Sequence, residues 1–309
     1  AVDPTYPLYP LACFLGAAML LLVLFTGFIR QNWNLGVAFL CFWLFFENVG
    51  NGINTIIWSS NANIKLYIYC DIFTHIQLIT FVVKPMATLI ITRRLYLITS
   101  LRSVELSDKP AKRRNLVIEW TLGLGIPVLV AGPLYYIVQA HRFVVAAGFG
   151  CGSTTDFSIL GILLTTSWAV TPSLVSITIY YRESVIWILY HQKRDMSEFL
   201  QSNNSISRTN YFRIFALASI DVVLTLPIGI TTIVLAVMEV LSQLSPPLYA
   251  GWNTLHHGDW EPVGITYATL KEDGTSSVVE HFFSQWTSPT LSYVVFGLFG
   301  MTAEARTSY

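Results

Sequence analysis

The chain has 309 residues, of which 53% are hydrophobic and only 12% charged, and its formal net charge is zero. Soluble domains carry about 25% charged residues, and with a mean hydropathy of +0.56 a soluble fold, a disordered chain, a collagen-like repeat and a disulfide scaffold are excluded. Eighteen basic residues against eighteen acidic ones leave no basic face for nucleic acid, so the composition points to a polytopic membrane protein.

A spanning helix needs roughly 20 mainly apolar residues, and runs of that size recur along the chain. The first predicted span covers 11–29 and the second 35–58, separated by Arg30-Gln31-Asn32-Trp33-Asn34. The next five fall at 69–98, 116–138, 157–190, 211–241 and 282–301. The last is diluted by Trp286, Ser288, Pro289 and Gly297. The expected fold is an all-α, seven-helix membrane bundle forming one domain over 1–309.

Lys/Arg placement sets the orientation. With the N-terminus outside, fourteen of the eighteen basic residues fall inside: Arg30, those from Arg93 to Arg114, those from Arg182 to Arg213, and Arg306. Lys65, Arg142 and Lys271 fall outside, and Lys84 lies mid-membrane. The bias predicts N-out, C-in. Ala1 to Pro10 hold no basic n-region and the first run has no small-residue cleavage site, so that run is expected to be a retained span. The sequon Asn203-Asn204-Ser205 then faces the cytoplasm, where it stays unmodified.

Cys13 and Cys41 lie inside spans, where a free thiol packs as a small hydrophobe. Cys70 opens the third span and Cys151 sits in the outer loop between the fourth and fifth. Both face an oxidising compartment, and a disulfide there would tie the loop over the bundle.

Ionisable groups in a bilayer are costly and default to functional hypotheses. Glu47, Lys84 and Asp221 lie near mid-bilayer, with Glu119 nearer the inner surface. Glu47, Asn51 and Asn54 share one face of the second span, and Gln77 and Lys84 share one face of the third. Lys84 is expected to pair with Glu47 or Asp221. Two readings stay open: a polar lock between helices, or a ligand-coupled switch built from the same groups. Pro85, Pro127, Pro133, Pro172 and Pro227 interrupt helical hydrogen bonding. Pro227, midway along the sixth span, is the candidate switch position, and a static kink fits it equally.

Of six histidines only His75 sits in a span, which is too few for an intramembrane zinc site. No phosphate loop or nucleophile elbow is present, so no catalysis, metal or cofactor is expected. The inner basic stretches at Arg93-Arg94, Lys109 to Arg114 and Gln192-Lys193-Arg194 suit anionic lipid or a cytosolic partner.

Specific stretches resemble the fungal a-factor-type mating pheromone receptors, class D G-protein-coupled receptors, especially those of mushrooms and their relatives. They are Ile56-Ile57-Trp58 with Asn61, Cys70-Asp71-Ile72, Arg93-Arg94-Leu95-Tyr96, and Tyr135 to Phe143 leading to Gly150-Cys151. Tyr211-Phe212-Arg213, Leu226-Pro227, and Phe296 to Gly300 with Glu304-Ala305 complete the set. Glu47 and Lys84 look like additions to the family pattern. The resemblance implies a plasma-membrane receptor that binds a farnesylated, carboxymethylated peptide outside and activates a heterotrimeric G protein inside.

Candidate ligand contacts are Glu47, Asn51, Asn54, His75, Gln77, Lys84, His141, Arg142, Asp221, Trp252, His256 and Trp260. The loop from Gln139 to Asp156 and the one from Ser242 to Glu280 are expected to hold the peptide, with the farnesyl group near the second, third and sixth spans. Arg93, Arg94, Lys193, Arg194 and Arg213 are the candidate G-protein-facing residues. The family carries a long cytoplasmic tail, so a chain ending at Tyr309 is expected to lack it. Oligomeric state, a homodimer included, stays open. The competing reading is an ion-coupled transporter or channel using Glu47, Lys84 and Asp221, although no inverted repeat is visible.

Overall fold

The computed structural model describes residues 3–30, 34–99, 109–181, 208–242, 247–256, 260–272 and 275–301. Lys193, Arg194, the sequon at Asn203, His257 and Arg306 lie outside the described residues.

Lipid offers no hydrogen bonds to a backbone, so an apolar run must pair its own N–H and C=O groups, and these runs do so as helices. The long ones are α1 (Leu8–Arg30), α2 (Leu35–Ile57), α3 (Tyr67–Thr99) and α4 (Pro110–Val138). A bent pair follows, α5 (Ile159–Ala169) and α6 (Thr171–Thr178), then α7 (Arg208–Ser242). Short α8 (Trp252–His256) and α9 (Tyr267–Glu272) precede α10 (Thr275–Val295), which continues as a π turn over Phe296–Gly300. Asn34 caps α2 by accepting from the Gly36 N–H at 3.1 Å.

Among the described residues five helices are long and apolar enough to cross a membrane, or six if the bent pair counts as one span. The chain is therefore a mostly helical, multi-pass membrane protein. The seventh expected run lies in α10, where Glu280, His281, Ser284, Gln285 and Ser288 dilute the apolar surface. α10 nonetheless packs on α1, α2 and α7. The fifth run departs more clearly, because the helix bends by 51° between Ala169 and Thr171. Pro172, with no N–H to give, follows a 3-10 turn at Thr166–Ala169. In α4, Gly- and Pro-rich sequence takes up two π turns, Thr121–Gly125 and Val130–Leu134.

Polar hydroxyls inside these helices are satisfied locally. Thr26, Thr55, Thr80, Thr92, Thr225 and Thr287 each donate to a backbone carbonyl four residues earlier. The apolar core binds α1, α2, α3, α7 and α10 through Leu20, Leu44, Ile91, Leu217 and Leu291. Small residues allow close approach: a Cβ on Gly50 would meet the Phe73 ring at 1.8 Å. On the far face Leu8, Phe25, Phe28 and Val223 are exposed, as lipid-facing side chains should be.

At the end of the bundle where α3 begins, β1 (Val144–Ala146) pairs antiparallel with β2 (Gly150–Gly152) and parallel with β3 (Val263–Ile265). Two loops far apart in sequence thus build one sheet, in the order β2-β1-β3.

Candidate functional site

The sheet roofs a cavity of about 360 Å³. Three features pin the roof. Cys70 and Cys151 form a disulfide with Cα atoms 5.5 Å apart. Arg142 grips Asp71 through both carboxylate oxygens, at 3.0 and 2.7 Å, and lies over the Tyr67 ring. The Gly148 N–H donates to the Trp58 carbonyl at 2.7 Å. The hydrogen bond to Asp71 raises the Arg142 pKa, so the guanidinium stays charged at any physiological pH.

Beneath the disulfide, Asn54 joins roof to helices. Its amide donates to the Cys151 carbonyl at 3.3 Å and its oxygen accepts from the Tyr69 hydroxyl at 2.9 Å. Gly150 makes this fit possible. Its φ is +86°, and a Cβ there would sit 2.5 Å from the Asn54 Cβ.

The cavity floor holds the charged groups. Lys84 Nζ lies 3.0 Å from Glu47 Oε2 and donates to Ser288 Oγ at 2.9 Å. The Ser288 hydroxyl donates in turn to Glu47 at 2.6 Å. Lys84 and Glu47 are each 8% exposed, so the pair is desolvated and its hydrogen bonds matter. One turn further on, Asn48 donates to Ser292 Oγ at 2.9 Å. The two serines, four residues apart, bring one face of α10 against α2 and α3. Asn51, Gln77, Phe81, His281 and Gln285 line the space above. From the roof, Val144, Ala146, Phe149 and Ile265 supply apolar wall.

Of the expected ligand contacts, Glu47, Asn51, Gln77 and Lys84 line the cavity, and Asn54 braces its roof. Asp221 lies outside the lining: Thr88 donates to its Oδ2, which ties α7 to α3 one turn past Lys84. Its Oδ1 has no hydrogen-bond partner among the described residues. His75 bonds the Asp71 carbonyl at 2.7 Å and meets Tyr135 edge-on, away from the cavity. His141 sits at the roof margin beside Arg142. Trp252, His256 and Trp260 gather around Tyr136 at the end of α4, clear of the cavity lining.

The family model described as STE3, Pheromone A receptor, matches residues 8–309. The chain belongs to this family. It is 31% identical over 310 residues to the Pheromone B alpha 3 receptor of Schizophyllum commune, covering all of this chain and 47% of that relative. It is 26% identical over 308 residues to Pheromone receptor 1 of Mycosarcoma maydis, covering all of this chain and 83% of that protein. Against the Pheromone a factor receptor of Saccharomyces cerevisiae, identity is 24% over 282 residues, 89% of this chain and 55% of the yeast protein. The chain thus spans about half the length of the Schizophyllum relatives it matches.

In this pheromone A receptor family chain, Arg93 and Arg94 lie near the end of α3 remote from the roof. Arg93 donates to Asn115 of α4 at 2.6 Å. Arg213 is half-buried in the first turns of α7, and Pro227 lies midway along that helix. Sequence reasoning missed Ser288, Ser292, Thr88 and Asn48 as partners of the buried charges. The i, i+4 repeat of Ser288 and Ser292 was the available signal.

Proposed function

We propose that this chain is the seven-span core of a receptor for a farnesylated, carboxymethylated peptide mating pheromone. It sits in the plasma membrane, N-out and C-in, and activates a heterotrimeric G protein without catalysis of its own. α10 with its π turn serves as the seventh span and the bent pair α5–α6 as the fifth.

The observation that carries this reading is the cavity itself, within a chain of the pheromone A receptor family. Its volume falls within the roughly 300–1,000 Å³ of small-ligand sites, where mostly apolar walls surround a few converging polar groups. A lipopeptide needs both. The apolar roof and Phe81 suit a prenyl chain, while Gln77, Asn51 and the Lys84–Glu47 pair suit backbone amides and an ester carbonyl. Extra basic residues on the G-protein side also fit the charge bias in sequence. Activation is a population shift in which ligand favours an open inner face.

The test is nucleotide exchange by a heterotrimeric G protein in liposomes holding the full chain, across a panel of synthetic farnesylated peptides. Exchange driven by a subset of the peptides supports the reading, and exchange that survives deletion of both roof loops removes the roof from the ligand site proposed here. Ion flux without any exchange would favour a transporter.

A further inference from the structure

Trp252, His256 and Trp260 are displaced sideways from the cavity, and their position is informative. Residues 247–256 lie beside the last turn of α4: His256 Nε2 is 2.9 Å from the Tyr136 carbonyl, and the Tyr249 hydroxyl donates to the Ile137 carbonyl at 3.1 Å. They also lie beside the first turn of α5, where the Ile159 and Leu160 N–H groups donate to the Pro247 and Leu248 carbonyls at 3.3 and 3.0 Å. The segment therefore bridges two spans from outside the bundle, at the depth where α4 ends at Val138.

Its exposed side chains are Leu248, Trp252, Asn253 and Thr254, two apolar and two uncharged polar. Leu248 is 67% exposed and Trp252 44%, and they continue the exposed apolar face formed by Tyr136 on α4 and Ile159 and Leu163 on α5. Leu255 turns inward and is buried. No Asp, Glu, Lys or Arg occurs from Pro247 to His256. Trp252 stacks on His256 with ring centroids 4.1 Å apart, giving a flat aromatic pair with polar edges. Trp and Tyr concentrate at the membrane–water boundary because their rings are apolar while their N–H or O–H reaches water. An uncharged segment with an outward Leu and Trp, level with the end of a span, meets the same conditions.

We infer that residues 247–256 form a collar embedded in the headgroup–acyl boundary of the bilayer, with Leu248 and Trp252 inserted among phospholipid chains. The partner is the lipid surface, because Leu248 and Trp252 adjoin the exposed apolar side chains of α4 and α5, and the segment's other exposed side chains, Asn253 and Thr254, are uncharged as the headgroup level allows. This placement needs no ligand and holds whatever the cavity binds.

The test uses the full chain with Leu248→Cys carrying a nitroxide, reconstituted in phosphatidylcholine liposomes. Cys13 and Cys41 are buried and Cys70 and Cys151 are joined, so labelling is selective. Power saturation should show collisions with oxygen exceeding those with a water-soluble nickel chelate several-fold. A label at Glu261→Cys, an exposed charged position beside Trp260, should show the reverse. Trp252→Cys provides a second reading if the first variant does not fold. Nickel accessibility at Leu248 equal to that at Glu261, or shielding from both reagents by a protein partner, would overturn the inference.

Discussion

Glu47 shares its oxygens between Lys84 and Ser288, while Asp221 receives one bond from Thr88 and keeps Oδ1 without a partner among the described residues. The first acid sits on the cavity floor and the second one turn deeper. A buried charge with a counter-ion and two hydrogen bonds is a closed arrangement, costly to open. A buried carboxyl with half its acceptors unmet loses little when its charge is removed, because it gains little from carrying one. The two acids therefore separate a lock from a position that tolerates neutralisation.

Lys84→Met breaks that contrast most strongly. It leaves Glu47 buried and unpaired, and removing one partner of a buried pair costs about 3–5 kcal/mol. Thermal unfolding of the purified chain should drop sharply, and Glu47→Gln on top of Lys84→Met should restore most of the loss. Absence of restoration would mean that the two groups do not act as a pair. Cys70→Ser comes next. Opening a disulfide of sequence separation 81 costs up to about 4.5 kcal/mol by chain entropy, and less here because the spans stay in the bilayer. Reductant should shift the wild-type unfolding temperature and leave the variant unmoved.

Ser288→Ala tests whether the hydroxyl completes the lock. It should cost about 1–3 kcal/mol, the price of leaving ionised partners short of a hydrogen bond. Arg142→Gln should cost below about 1 kcal/mol in stability, since both side chains of its ion pair are about a third exposed, and added salt should shrink the difference further. Asp221→Asn is the smallest effect. It keeps the Thr88 contact and should leave unfolding within about 1 kcal/mol of wild type, or raise it. A loss as large as that of Lys84→Met would show that Asp221 carries a paired charge after all.

Much of this was legible in the sequence. Apolar run length and hydropathy place α1, α2, α3 and α7 to within three residues and start α4 six residues late, because Lys112, Arg113 and Arg114 interrupt the apolar pattern of its first turns. Depth along the spans also placed Glu47 and Lys84 at one level. Choosing between Glu47 and Asp221 as the partner of Lys84 was beyond it, because helix rotation decides the pairing and no residue spacing reports it. Ser288 read as a dilution of the seventh span, when in the fold it is the hydroxyl that joins both charges. The bend at Ala169 was hidden for a related reason. Pro172 signals a kink, but a 51° break needs the preceding Thr166–Ala169 turn as well. Trp252, His256 and Trp260 show the limit most clearly: sequence assigns them to a loop, and only the fold tells which side of the bundle that loop covers.

The shared sheet bears on the order in which the protein is made. β1, β2 and the cysteine pair all emerge before α5, so the hairpin and its disulfide can form while the rest of the chain is still being synthesised. β3 arrives after α7 and before α9 and α10, and its pairing with β1 completes the sheet. A ribosome stalled between α6 and α7 would leave a covalently clipped hairpin with one bare edge, and the completed roof is thus a record that the chain has been made through α7.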